Sequence, residues 1–405
     1  MTLTRRTAAL GMLAAMVSAC ADGATRPVAR GSLQSVPNPA FDAWVTGFRG
    51  RALSAGISPS VFDAAFADAG YLPGVVERDR NQTEFTRTLE DYLAIVASEE
   101  RVAEGRAAFR RERATLEAIG ARFGVEPHVV AAIWGVESAY GTRRGDVPVI
   151  SATATLAFDG RRGAFFEQQL VAALRILQAG DTTPGNMVGS WAGAMGHTQF
   201  IPTSFRAYAV DFTGDGRRDI WADDPADALA SAAAYLDRFG WRTGQPWGVE
   251  VAAPAGVAAG RDVRRAPSAW AARGVRSVGG GPLPDHGAAA LVQPDPGGPA
   301  FLLFSNFTVI TRYNNSTSYA IGVGYLSDRI AGGGPLRTPF PPDRFGLTID
   351  DRRALQRGLT RAGFDTGGAD GVIGPRTEAA IRAYQQSRGL PVTGQPSRAL
   401  LDALG

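Results

Sequence analysis

The stretch Val129–Val136 (VVAAIWGV) constrains the chain more than any other, because it is apolar on every helical face. Pro127 just ahead of it suits the first turn of a helix, where its fixed φ fits and its missing N–H is not needed. A helix with no polar face must be surrounded by other elements, so this segment predicts the interior of a helical domain. Glu137 is the first charge to interrupt it, and Gly141 supplies a stop. The carboxyl group is therefore expected in the last turn, among apolar neighbours and beside the negative end of the helix dipole. Both surroundings disfavour ionisation and push its pKa up. An acid that keeps its proton near neutral pH is what general-acid catalysis requires. The plain alternative is a solvated glutamate at a helix end.

A chain of 405 residues has room for two or three domains, and its 45% hydrophobic and 20% charged content fit a globular protein. All 42 basic residues are Arg, and with 50 glycines this reads as genome composition rather than function. A net charge of +3 is too small to argue for nucleic acid, which is excluded as a partner.

The first twenty residues read as an export signal. Arg5 and Arg6 precede an apolar stretch, Ala8–Val17, too short to span a bilayer. It ends in Val17-Ser18-Ala19-Cys20, which resembles the lipobox of bacterial lipoproteins, so Cys20 is the expected lipidation site and start of the mature chain. The implied location is periplasmic, with the lipid held in the outer membrane. An ordinary cleavable signal is the alternative. Cys20 is the only cysteine, so no intramolecular disulfide can form.

Residues 21–38 read as a tether. A domain over residues 39–331 follows, helical through about Phe123, then carrying the Glu137 helix and further helices near Ala164–Gln178, Pro225–Phe239 and Ser318–Arg329. After Gly248 the texture turns to short β-like pieces, through Phe301–Phe304 and Thr308–Thr311. Residues 332–342 (GGGPLRTPFPP) read as a linker. Residues 343–405 form a separate module with amphipathic segments Ile349–Ala362, Arg376–Arg388 and Ser397–Leu404. Sixty residues hold only a small core, so this is read as a binding module. The fold class is α+β and predominantly α.

Three segments add chemistry to Glu137. Glycine-dense GSWAGAMGHTQFIPTSF (Gly189–Phe205) brings Ser190, His197, Thr198 and Gln199, and RYNNSTSYAIGVGYL (Arg312–Leu326) brings Tyr313, Asn314 and Tyr319. An acid, a glycine-rich wall, amides and aromatics together suit a carbohydrate cleft, since rings stack on sugar faces and amides bind hydroxyl and N-acetyl groups. The third, GRRGAFF (Gly160–Phe166), carries Arg161 and Arg162.

With RNQTEF (Arg80–Phe85), GVESAYG (Gly135–Gly141) and ITRYNNSTSYA (Ile310–Ala320), the order and spacing of these motifs resemble the membrane-bound lytic murein transglycosylases of the B type. The tail, with Asp370-Gly371, Gly374, Thr377 and Gly394, resembles the peptidoglycan-binding domain of cell-wall enzymes. The resemblance implies a lysozyme-like catalytic domain with a small β-containing insertion, followed by a three-helix peptidoglycan-binding domain. It implies that Glu137 alone serves as acid and then base, cleaving between N-acetylmuramic acid and N-acetylglucosamine without water to leave a 1,6-anhydro end. Most glycosidases need two carboxylates, but here the sugar's own C6 hydroxyl replaces water. By motif, Ser190 and Gln199 line the cleft beside the acid, while Tyr235, Tyr313, Asn314 and Tyr319 contact sugar. Arg161 and Arg162 would face a peptide or lactyl carboxylate. No cofactor is required. Peptidoglycan strands are the implied partner, and the resemblance is compatible with membership of wall-synthesis or division complexes. His197 receives no role and is read as an incidental polar residue.

Two alternatives stay open from the residues. One is a wall-binding scaffold without activity. The other is a lysozyme-type hydrolase, which needs a second carboxylate, Asp146 and Asp159 being nearest in sequence. A separate loop, Asp211–Trp221, resembles the first half of a calcium hand: Asp211, Thr213, Asp215 and Arg217 at alternating positions, with Asp227 as the later acid. Arg217-Arg218 and the Ala at 222 depart from that pattern, and a turn held by Asp side chains is the alternative.

Overall fold

The computed structural model describes residues 33–81 and 87–405. The signal segment, Cys20, most of the tether and residues 82–86, which include the last four of the RNQTEF motif, lie outside them. Among the described residues no helix is long and apolar enough to cross a membrane.

The apolar run forms the helix Pro127–Ser138, and nine of its twelve residues are buried, Val129 through Gly135 together with Glu137 and Ser138. The chain surrounds this acid helix with the helices Thr317–Ile330, Glu99–Arg111, Arg113–Phe123 and Ala226–Arg238. Helix Thr317–Ile330 carries Tyr319 and lies along it, with a glycine on the face turned to helix Leu89–Val96. A Cβ on Gly322 would stand 2.6 Å from the Tyr92 ring, so only glycine lets that ring reach the interior. Short helices from Pro39 to Val96 cover one flank, starting with an Asn38 cap whose carboxamide accepts from Ala40 and Phe41 N–H. A second core joins helices Val149–Asp159 and Gly163–Ala179 through Leu156 and Phe166, with Trp191 of the glycine-rich segment.

The insertion after Gly248 is an antiparallel five-stranded sheet, ordered 264–265, 289–292, 300–303, 248–252, 276–277, over its own core around Trp270. The expected β piece at Thr308–Thr311 is instead part of the helix Ser305–Tyr313: Phe307, Val309 and Ile310 face the interior at helical spacing, which outweighs their β propensity. The C-terminal module packs the helices Ile349–Arg361, Pro375–Ser387 and Arg398–Leu404 around Leu355, Leu359, Ile381 and Tyr384.

Two expected connectors belong to the fold. Val36, placed in the tether, pairs with Tyr71 (Val36 N–H to Tyr71 O, 3.0 Å). The 332–342 linker is strapped to the sheet, with Arg337 and Thr338 N–H donating to the Glu250 carboxylate at 2.9 and 2.6 Å. Its Leu336 and Phe340 pack on the main core.

Candidate active site

The acid helix ends abruptly. Ala139, Tyr140 and Gly141 all take positive φ (51, 57 and 87°), and the first two are not glycine. Each non-glycine residue in this region costs roughly 1–2 kcal/mol, and such strain clusters at functional sites. The reversal folds the Tyr140 ring back over Gly135 and sends the chain towards Val147–Pro148, which pairs with Val188–Gly189 at the entrance of the glycine-rich segment. That segment then closes on itself. Met195 and Phe200 exchange backbone hydrogen bonds of 2.9 and 3.1 Å, leaving His197-Thr198 at the turn and Gln199 in the left-handed region (φ 52°).

Glu137 is 1% exposed, and burial pushes its carboxyl up to about 8. The opposing influence is the Tyr319 hydroxyl, which donates to Oε1 at 2.6 Å. Tyr319 keeps its own proton, because burial and the neighbouring carboxyl raise its pKa far above the usual tyrosine value. With Oε1 occupied by that donor, the acidic proton of Glu137 belongs on Oε2. Among the described residues no carboxylate acts on Glu137. Asp159 is paired with Arg80 at 2.5 Å, and Asp146 is exposed.

Tyr313 and Tyr92 both feel the Glu137 charge in addition to burial, and both hydroxyls are pushed up by it. Tyr92 was missed in the sequence because it sits outside the quoted motifs. Its only signal was an aromatic one turn into the helix Leu89–Val96. Tyr235 joins the site through ring contact with Tyr313 (5.1 Å), both against Phe200. The hydroxyls of Tyr235 and Tyr313 donate to the carbonyls of Arg312 and Thr198 at 2.6 Å, so these two expected sugar contacts also hold the wall in place. Ser190 accepts from Ala194 N–H (3.0 Å) and is half-buried. Gln199 donates to the carbonyls of Arg144 and Gly196 (3.0 and 2.8 Å), and Asn314 accepts from Ser316 N–H (3.0 Å).

One expectation gains an internal partner and one is corrected. Arg161 and Arg162 meet an internal carboxylate, that of the buried Asp79: Arg161 Nε donates to Asp79 Oδ2 at 2.6 Å, and Arg162 donates to Oδ1. A buried aspartate needs this compensation, and Asp79, invisible to motif reading, is the reason the pair exists as a pair. His197 is not incidental either: it is 4% exposed and bonded at both ring nitrogens.

In the Asp211 loop, the carboxylates of Asp211, Asp215 and Asp227 lie within 4.8 Å of one another. The Asp227 oxygens accept from the N–H groups of Phe212, Thr213 and Asp219, and Asp211 accepts from Gly214 and Gly216. Asp227 Oδ1 and Asp211 Oδ1 each accept two donors already, whereas Oδ2 of Asp227 and of Asp211 accepts one, as does Oδ1 of Asp215, so one oxygen of each carboxylate keeps a lone pair for a cation. Arg218 turns away to Asp181 (2.5 Å), which removes one of the positive charges counted against such a site.

A family model described as a transglycosylase SLT domain matches residues 40–328, and one for a putative peptidoglycan binding domain matches residues 348–404. The membrane-bound lytic murein transglycosylase B of Escherichia coli (strain K12) is 38% identical over 213 residues, 52% of this chain. The chain spans only 58% of that relative's length. SltB3 from Pseudomonas aeruginosa, solved in complex with NAG-anhNAM-pentapeptide, is 47% identical with a TM-score of 0.73, covering 91% of this chain and all of that one. The lytic transglycosylase Slt35 of Escherichia coli, solved in complex with calcium, is 30% identical with a TM-score of 0.63, over 76% of this chain and 98% of that one.

Proposed function

The chain belongs to the SLT transglycosylase family and carries a peptidoglycan-binding domain at its C-terminal end, and from that premise we propose that it is a lytic transglycosylase of peptidoglycan with Glu137 as its acid and base. The observation that carries the reading is one buried, protonated carboxyl held by a tyrosine hydroxyl, with no carboxylate partner among the described residues. Oε2 gives its proton to the oxygen bridging N-acetylmuramic acid and N-acetylglucosamine as the bond to the anomeric carbon breaks. The carboxylate so formed takes the proton of the muramoyl C6 hydroxyl, whose oxygen closes on that carbon to give the 1,6-anhydro ring. Proton and bond counts balance without water. Negative charge appears on Glu137 between the two steps, and the Tyr319 bond strengthens as it does, because hydrogen bonds to ionised acceptors are roughly twice as strong.

Ser190, Gln199, Asn314 and the Tyr235–Tyr313 pair flank the acid as the sugar-facing wall. The exposed half of the Arg161 side chain is the part of the arginine pair left for a substrate carboxylate. In the cell, the Cys20 lipid would hold the protein at the periplasmic face of the outer membrane, within reach of the sacculus and of wall-building complexes. The test is mass spectrometry of digested sacculi. Glu137→Gln should lose turnover while keeping sacculus binding, since the amide preserves shape but has no proton to give. Reducing ends from the wild type, one water heavier than anhydro ends, would replace this reading with a hydrolase; absence of products would leave a scaffold.

We also propose calcium at Asp211, Asp215 and Asp227, with Thr213 and Arg217 at the remaining loop positions, in a structural role. The converging carboxylates support it. Calcium at about a hundred times its Kd should stabilise the fold by about 2.7 kcal/mol, read as a rise in melting temperature that EDTA reverses. An identical melting curve with either additive would refute it.

A further inference from the structure

We propose that His197 is the positioning residue of the reaction, its neutral ring tying the catalytic turn of the acid helix to the glycine-rich wall. This rests on Glu137 being the catalytic acid, as proposed above. The ring Nδ1 accepts the indole N–H of Trp134 at 3.0 Å. Only the unprotonated nitrogen can do so, which places the ring hydrogen on Nε2, where it donates to the Ala222 carbonyl at 2.7 Å. The His197 carbonyl accepts the Ser138 hydroxyl at 2.6 Å, and the Ser138 oxygen in turn accepts Gly141 N–H at 3.0 Å. Trp134 lies one turn before Glu137 and Ser138 directly after it, so one residue of the wall grips both sides of the acid. There is no slack. A Cβ on Gly141 would stand 2.5 Å from Nδ1, and the Trp134 and His197 rings meet edge to face at 5.7 Å.

A second proton on the ring would point at the Trp134 N–H and break the tie. The groups facing His197 set when that happens. Burial, the largest influence, and Arg144, whose Nη1 lies 3.3 Å from Nε2, push its pKa below the ordinary histidine value. The Ala222 carbonyl, Asp223 and Asp224 oppose them. Arg111, Glu112, Tyr140 and Asp223 line the cavity of about 280 Å³ that adjoins the ring. The tie is thus present at neutral pH and lost in acid. A lone general acid loses activity on the alkaline side only, because acid merely keeps it protonated. An acid limb in kcat must come from another group, and His197 is that group.

The experiment is the pH dependence of kcat and KM for the full chain on purified glycan strands, with the products identified. His197→Gln keeps an acceptor and a donor that do not titrate. It should hold near-wild-type kcat at neutral pH and lose the acid limb. His197→Phe keeps the bulk and removes both bonds; kcat should fall by about 10²-fold, the scale of a small misplacement of a catalytic group, with KM within about twofold. Wild-type enzyme with no acid limb, or a limb unchanged in His197→Gln, would overturn the proposal. Should the variants not fold, ¹⁵N shifts of the wild-type ring decide: hydrogen on Nε2 alone at neutral pH upholds the tie, and hydrogen on Nδ1 rejects it. Reducing-end products would sink the transglycosylase reading without touching this pH test.

Discussion

Glu137 and Tyr319 come from motifs 182 residues apart and meet at 2.6 Å. One interaction of the tyrosine has two consequences. It lowers the carboxyl's pKa, and it stabilises the charge that appears after the first proton transfer. Tyr319→Phe should therefore move the alkaline limb of kcat upward from about 8, since burial then acts unopposed. It should also lower kcat by about 10- to 100-fold, the worth of a hydrogen bond to a charged group of roughly 1.5–3 kcal/mol. A pH–rate profile reads both, and a limb that moved downward would contradict the assignment. Burial of a glutamate was foreseeable from its apolar approach. Its tyrosine partner was not, because nothing local to either residue encodes a contact made by two helices packing side by side.

The acid helix shows at element scale how a strained end serves a site. Gly141 was legible as a stop, yet the helix ends two residues earlier, with Ala139 as its left-handed cap. Ala139 and Tyr140 hold that conformation because Gly135 leaves room for the Tyr140 ring, whose hydroxyl donates to Arg101 O at 3.1 Å. Ala139→Gly should relieve the backbone penalty and stabilise the fold by about 1 kcal/mol after the unfolded-state entropy of glycine is counted. Chemical denaturation at matched m-values measures it. A loss of stability would mean that the Cβ of Ala139 packs more usefully than its backbone conformation costs.

At the scale of the molecule, the C-terminal module is joined to the catalytic domain and not simply appended. Arg352, 3% exposed, reaches from the module's first helix to Glu90 and to Asp91 (2.8 Å), at the start of the helix that carries Tyr92. Burial raises the Glu90 pKa, with Arg352 opposing it. Removing one partner of a buried pair leaves the other charge uncompensated. Arg352→Ala should cost roughly 3–5 kcal/mol at this interface and open the strap near Gly332–Pro342 to limited proteolysis, with little change in the module's own helices. Unchanged cleavage kinetics would argue that the interface is weaker than its burial implies.

The sequence by itself determined the helical interior, the raised pKa of its one acid, the two-module plan and the motifs that face the site. Each is written in local spacing, because helix periodicity, proline and glycine positions and apolar runs act over a few residues. Tertiary structure decided the rest. Asp79 claims Arg161 and Arg162, His197 becomes a tie, Tyr92 packs into the space at Gly322, and the linker and the last of the tether join the fold. The reason is common to all of these. A buried charge or polar group must find partners wherever packing brings them, and packing pairs residues whose separation along the chain carries no signal.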